Sequence, residues 1–540
     1  MLRIAQEILD RPRIARSPGR RYARAMSSLV DLLRASAAQF GTLPAIHFQG
    51  RTTTHAAFGQ ATDQFAAGLA ARGIGPGDRV GLYCVNSDAF AIAYFGILKA
   101  GATVVPVNLL LNPKEVAYIL KDAGVKALVY FEAFAEAVNA IKSQVPSLTL
   151  QVCIGAQNPL QDIPFSDLPA ASGPVPQPAL NPAEDLAAIL YTSGTTGHPK
   201  GAMLTHRNLA SNIESIRQAM HLEPGKDVLL CVLPMFHAFA ATVCVIFPLT
   251  HGCAVVPMPK FEPQAVADAI AAHRVTVLPA VPSMFSVLLR LPDTETAKFA
   301  PLKFAVSGGA ALPVEVMRQF EAKFGKLIYE GDGPTECSPA TCMNPIGGVR
   351  KPASVGLPVP MVEMKIVDDR GNELPHGAVG EIVVRGPNVM KGYWNHPEET
   401  KEAFFGEWFR TGDLGTEDDD GYFCIVDRKK DMIIVNGMNV YPRIVEEILY
   451  QHPAVREAAV VGEPDELHGE IPVAFVALKE GAHATTHEMR QHCRDNLGRH
   501  EVPRKVHLIP QLPKNAAGKV LKRELRKSGE YERGIDGHGA

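Results

Sequence analysis

Through the first three quarters of the chain, short apolar runs alternate with segments of helical period, and this rhythm leaves few folds open. Asp78-Arg79-Val80-Gly81-Leu82-Tyr83 reads as a strand, residues 91–99 as a helix and Thr103-Val104-Val105-Pro106-Val107 as a strand. Residues 115–122 are helical again, and Lys126-Ala127-Leu128-Val129-Tyr130 forms another strand. The alternation returns at 228–232, 254–257, 275–278, 303–306 and 327–330. Strands interleaved with helices in this way build parallel sheets covered by helices. After Gly356 the pattern shifts to short strands at 363–367 and 381–385, which predicts a β-rich subdomain. From Asp427 a small α+β unit follows, with a helix over 444–449 and strands at 458–461 and 474–478. Residues 171–182, rich in Pro and small side chains, read as a linker or surface loop. The expected class is α/β: a large N-terminal domain of parallel-rich sheets plus a β-rich subdomain, then a small α+β C-terminal domain.

Composition bears on partners and compartment. The 540 residues carry a net charge of -3, without the basic footprint of a nucleic-acid partner. Nine cysteines, with no CxxC or Cys/His zinc spacing, point to a reducing compartment, and the cytoplasm is expected. Cys337 reads as a packing residue. The most apolar stretch, 91–111, is interrupted by Lys99, Gly101 and Pro106, so no transmembrane segment is expected. The first 25 residues hold seven Arg, no Lys and only Glu7 and Asp10 as acids. Transit peptides are usually poorer in acids, so a disordered or misassigned extension is the preferred reading. Residues 529–540 are likewise expected to be disordered.

The chemistry begins where the strand-like run Asp185-Leu186-Ala187-Ala188-Ile189-Leu190-Tyr191 enters Thr192-Ser193-Gly194-Thr195-Thr196-Gly197-His198-Pro199-Lys200-Gly201. Glycines let a backbone turn its N–H groups inward, hydroxyls add donors, and Lys200 adds a point charge. The combination suits a polyphosphate. It is not a Walker A loop, because Pro199 precedes Lys200 and Gly201 follows it.

This loop resembles the signature of the adenylate-forming (AMP-binding) superfamily, which contains acyl-CoA synthetases, firefly luciferases and the adenylation domains of peptide synthetases. Further motifs follow in the family's order over nearly the whole chain after Met26. Leu233-Pro234-Met235-Phe236-His237-Ala238-Phe239 is similar to the segment lining the acyl site, and the resemblance places Phe236, His237 and Val281 around the substrate. Ser307-Gly308-Gly309-Ala310 matches the adenine loop. Glu330-Gly331-Asp332-Gly333-Pro334-Thr335-Glu336 resembles GYGxTE, which implies Gly333 and Thr335 at the nucleotide and Glu336 on Mg²⁺. Asp332 departs from that pattern, since the family usually places an aromatic against adenine there. Thr411-Gly412-Asp413 implies Asp413 on the ribose diol, with Arg428 beside it. Lys430 matches the domain hinge, while Lys429 reads as part of a charged turn. Pro513-Lys514-Asn515-Ala516-Ala517-Gly518-Lys519 resembles the C-terminal catalytic segment, with Lys514, Lys522 and Arg523 read as solvated.

The resemblance implies ATP, Mg²⁺ and coenzyme A, with Lys519, Glu336 and Thr196 as catalytic groups. The loop residues Thr192, Ser193, Gly194, Thr195, Thr196, Gly197 and Lys200 cradle the phosphates. It also implies a mobile lid, which divides the chain into an extension (1–25), an AMP-binding domain (26–429), a lid (430–528) and a tail (529–540). The implied reaction joins a carboxylic acid, of medium- or long-chain fatty type, to CoA through an acyl-adenylate. An aromatic acid–CoA ligase, an enzyme loading a carrier protein, and a luciferase-like oxygenase share the first half-reaction. A binding module without catalysis would be expected to have lost Glu336, Asp413 or Lys519. A homodimer is left open as the assembly.

Overall fold

The computed structural model describes residues 27–169, 173–192, 199–515 and 518–526. The expected extension and tail lie outside these residues. So do Ser193, Gly194, Thr195, Thr196 and Gly197 of the phosphate loop. Among the described residues the first helix, Leu29–Gln39, starts on a reciprocal capping box between Ser28 and Asp31.

Two sheets carry the large domain. In one, Leu186–Thr192, Thr103–Pro106, Arg79–Tyr83, Ala127–Phe131, Leu150–Ile154 and Ile163–Pro164 run parallel in that order. Lys200–Thr205 and Gly392–Tyr393 extend its other edge antiparallel. In the other, Ile328–Asp332, Phe304–Ser307, Val277–Ala280, Val228–Cys231, Ala254–Pro257 and Pro44–Phe48 are parallel, with short antiparallel strands at both edges. Phe58, Phe65, Phe90, Tyr94 and Phe95 pack into one core with apolar residues of both sheets, among them Leu82, Val104, Leu229 and Val277. The central strands, such as Thr103–Pro106, Val277–Ala280 and Phe304–Ser307, are buried on both faces, which is why their sequences read as solid apolar runs rather than alternating ones.

The predicted strands and helices are present with their ends shifted by a few residues, and two are longer than expected: Val455–Asp465 and Gly469–Leu478. The β-rich subdomain is an antiparallel sheet of Glu363–Val367, Gly380–Arg385, Trp408–Glu417, Phe404–Phe405 and Phe423–Arg428. The C-terminal unit has its own core, Val445, Leu449, Val460, Val476 and Met489 among others. The segment 240–246 winds as a π-helix before Phe247–His251, a geometry frequent at functional sites. No helix among the described residues is long and apolar enough to cross a membrane.

Candidate active site

Ligands of open α/β sheets bind beyond the carboxyl ends of parallel strands. Here two such ends, Thr192 and the segment after Asp332, open on one cleft: the Thr192 hydroxyl donates to Glu336 Oε1 at 3.3 Å. Thr192 and Lys200, which flank the phosphate loop in sequence, are partners across an antiparallel strand pair. Glu336 sits on the 3₁₀ turn Thr335–Cys337, which Thr335 opens. Its Oε1 accepts a second bond, at 3.0 Å, from the Tyr393 hydroxyl. Burial and the Glu336 charge raise the Tyr393 pKa, so the phenol keeps its proton. The Lys200 ammonium lies 5.6 Å from the centre of the same ring. Tyr393 thus joins the two charged residues expected at the phosphates. Sequence reasoning passed over it, because it arrives from a two-residue strand paired to Ala202 and Met203.

The glycines have separate reasons. A Cβ on Gly333 would stand 1.7 Å from the Pro339 carbonyl oxygen, so only glycine fits there. Gly309 has φ +77, and Gly308 lies bare against the Phe239 ring, with Ala310 completing the loop. The expectation that the loop glycines serve left-handed backbone is corrected at Gly201, which is absent from the positive-φ residues. A Cβ there would meet Ile189 Cγ2 at 2.6 Å, so Gly201 serves strand packing.

Asp413, expected at the ribose, is buried and pairs with Arg428 Nε at 2.9 Å, as its cross-strand partner. The Thr411 hydroxyl accepts from its backbone N–H at 3.0 Å. Burial raises the Asp413 carboxyl against the pull of Arg428. Asp332 is raised too, first by burial and next by the Asp413 charge. Two carboxylates therefore share the space where the family pattern has one carboxylate and a ring.

Lys519 brings the lid to this place. Its turn is closed by Asn515 Oδ1, which accepts the Lys519 N–H at 2.9 Å. Gly518, at φ +77, lies against Val281 and Ser283, and the Ser283 hydroxyl donates to its carbonyl at 3.3 Å. Lys519 keeps accessible surface along the residue, while the protein atoms around its ammonium crowd out part of its hydration. Loss of hydration, then Arg428 and Lys430, pull its pKa down to about 8, against the fields of Asp413 and Asp332. His237 feels Lys519 from the acyl side: burial, then that charge, lower it to about 4, so it is neutral. Its Nδ1 accepts the Phe239 N–H at 3.3 Å, which leaves the proton on Nε2. Phe236 and Val281, also expected at the acyl group, are buried. One lysine thus interacts both with residues expected at the nucleotide and with one expected at the acyl group.

Two expectations about cations change. Lys514 is paired with Glu457, and Lys522 with Glu446 at 2.9 Å, so neither is a simply solvated group. Lys429, read as part of a charged turn, is ion-paired outside that turn with Asp369 and Glu381. All nine cysteines are free, and Cys337 is buried as a packing residue. Among the described residues no cluster of three His, Cys, Asp or Glu could hold a metal alone. The hard oxygen of Glu336 suits Mg²⁺ that takes its other ligands from phosphates and water.

The AMP-binding enzyme family matches residues 33–394, and the AMP-binding enzyme C-terminal domain matches residues 444–519. The chain belongs to the AMP-binding enzyme family. Among its relatives, a long-chain-fatty-acid–CoA ligase of Bacillus subtilis (strain 168) is 36% identical, covering 92% of this chain and 94% of that protein. A feruloyl-CoA synthase of an Amycolatopsis species is 35% identical over 89% and 95%. The crystal structure of an anthranilate CoA ligase in complex with anthranoyl-AMP superposes with a TM-score of 0.87, at 29% identity over 93% of this chain and 97% of that one. The family's members include acid–thiol ligases of both aliphatic and aromatic acids, and this chain is such a ligase.

Proposed function

We propose that this family member activates a medium- or long-chain fatty acid with ATP and passes the acyl group to coenzyme A, releasing AMP and pyrophosphate. The observation that carries this is the place of Lys519 between the nucleotide-side Asp413–Arg428 pair and the acyl-side His237. A carboxylate oxygen attacking the α-phosphorus brings two anions together, so the barrier is largely electrostatic. Lys519 offsets the developing charge, and the Nε2–H of neutral His237 offers the acid a hydrogen bond without competing as a cation. Asp413, as an acceptor-only carboxylate, suits the ribose diol. Glu336 would hold Mg²⁺, which would supply charge neutralisation at the phosphates.

The small domain, 430–528, acts in this reading as a lid turning about Lys430. Its departure removes Lys519 and opens a path for the thiol; such motions also keep water from a reactive anhydride. The nine free cysteines fit a cytoplasmic setting. The choice of aliphatic acid follows the 36% identical Bacillus subtilis relative. Pyrophosphate release across a panel of acids, with and without CoA, tests the reading. Fatty acids are expected to give CoA-independent pyrophosphate in a first turnover, then AMP and acyl-CoA. Turnover confined to aromatic acids would move the substrate to the feruloyl class, and formation of ADP would overturn adenylation itself. Chelating Mg²⁺ is expected to abolish pyrophosphate release, with recovery on adding it back.

A further inference from the structure

Glu330 is a buried carboxylate with no part in the chemistry above. It lies on the strand Ile328–Asp332 and is 3% exposed. Its Oε1 accepts the Leu312 N–H at 2.9 Å, which ties down the far end of the loop that begins at Gly308. Its Oε2 is buried and has no hydrogen-bond partner. The next strand places Ser307 beside it in register, and the Ser307 hydroxyl is also buried and unpartnered.

Across the domain boundary stands Arg443, near the start of the lid helix Pro442–Gln451 and buried. It already reaches into the large domain: its backbone N–H donates to Asp427 Oδ2 at 2.9 Å and its Nη1 to the Ile425 carbonyl at 2.6 Å. Its Nη2 is buried without a partner. Burial raises the Glu330 carboxyl to about 7, and Arg443 is the first of the influences opposing that rise, while Glu447 and Asp332 add to it. The helix that carries Arg443 borders the loop that Glu330 holds, since its Glu447 accepts from the Val314 backbone, and Glu330 and Arg443 each keep one idle buried atom.

We propose that Glu330 and Arg443 are positioning residues that close on each other as the lid seats over bound nucleotide, so that one buried ion pair couples lid posture to the loop held through Leu312. Buried polar atoms left unpaired carry an unrecovered desolvation cost, and mutual pairing removes it for both. When the lid turns away it takes Arg443 with it, whereas the Leu312 bond stays within the large domain. The pair therefore serves adenylation and not thioester formation. This rests on the two-step reading of the function.

The test measures both half-reactions in the full chain: pyrophosphate release with acid and ATP, and acyl-CoA formation from supplied acyl-adenylate. Glu330→Gln keeps an acceptor for Leu312 and removes the charge; Arg443→Met keeps the apolar stem. Each is expected to slow adenylation about tenfold while changing thioester formation less than twofold, and the double variant is expected to be no slower than either single one. Arg443→Lys should restore part of the loss. Equal slowing of both halves, or multiplied losses in the double variant, would overturn the pair. Should Arg443→Met fail to fold, Arg443→Lys and Glu330→Gln form the same cycle. Wild-type chain that releases no pyrophosphate with any acid would instead overturn the functional reading, so the two failures are separable.

Discussion

The charges around the proposed α-phosphate site come from separate parts of the chain, and each can be removed singly. Lys519→Ala is expected to lower adenylate formation by about 10²–10³ while sparing thioester formation from supplied acyl-adenylate; stopped-flow measurement of each half checks it. The pH dependence has a defined sign. Lys519 must be protonated to offset charge, and its pKa is lowered to about 8. Adenylation should therefore fall as pH rises through about 8, with the fall confined to that half-reaction. His237, lowered to about 4, is neutral throughout this window and adds no inflection. Asp332→Tyr removes a carboxylate that crowds Asp413 and supplies a ring. Base–aromatic stacking contributes about 1–3 kcal/mol, so KM for ATP should drop about tenfold. An unchanged KM would mean that Asp332 does not face the base. Much of this was legible in the sequence, because Asp413, Glu336 and Lys519 each sit in a local motif. Tyr393 was not: its hydroxyl meets Glu336, 57 positions away, and nothing local marks it.

At the level of elements, tight backbone approaches decide which substitutions are tolerated. Gly333→Ala is expected to be the most damaging single change in the nucleotide wall. Its Cβ would strike backbone 1.7 Å away, where no side chain can yield. Overpacking of this kind costs about 1–3 kcal/mol or more, and a thermal melt alongside an ATP titration should show losses in both. Gly518→Ala tests a different contact. Its Cβ would meet Ser283 Oγ at 2.6 Å and Val281 Cγ2 at 3.0 Å, so the lid should seat poorly and adenylation should slow while the melt changes little. Strand and helix positions were readable because apolar runs and helical periods are properties of neighbouring residues. The paired state of Lys514 and Lys522 was not, since it depends on Glu457 and Glu446 elsewhere in the small domain.

For the whole molecule, the proposed reading has the large domain bind nucleotide and acid while the small one contributes a charge. Ser283 and Gly518, which touch, are 235 positions apart. Composition and periodicity divide the chain into its units but cannot say how those units face each other. Arg428, Lys429 and Lys430 lie at the proposed boundary between them, so limited trypsin digestion should cut there. Digestion is expected to slow when an acyl-adenylate analogue holds the lid down, and equal rates with and without it would argue against closure. Asp332, finally, has a practical meaning. An acyl-sulfamoyl adenosine bearing an aminoalkyl group on its base would place a cation beside that carboxylate, where relatives with an aromatic residue offer a flat, uncharged surface. Inhibition weakened by Asp332→Tyr would make this position a handle for selective inhibitors within a large family.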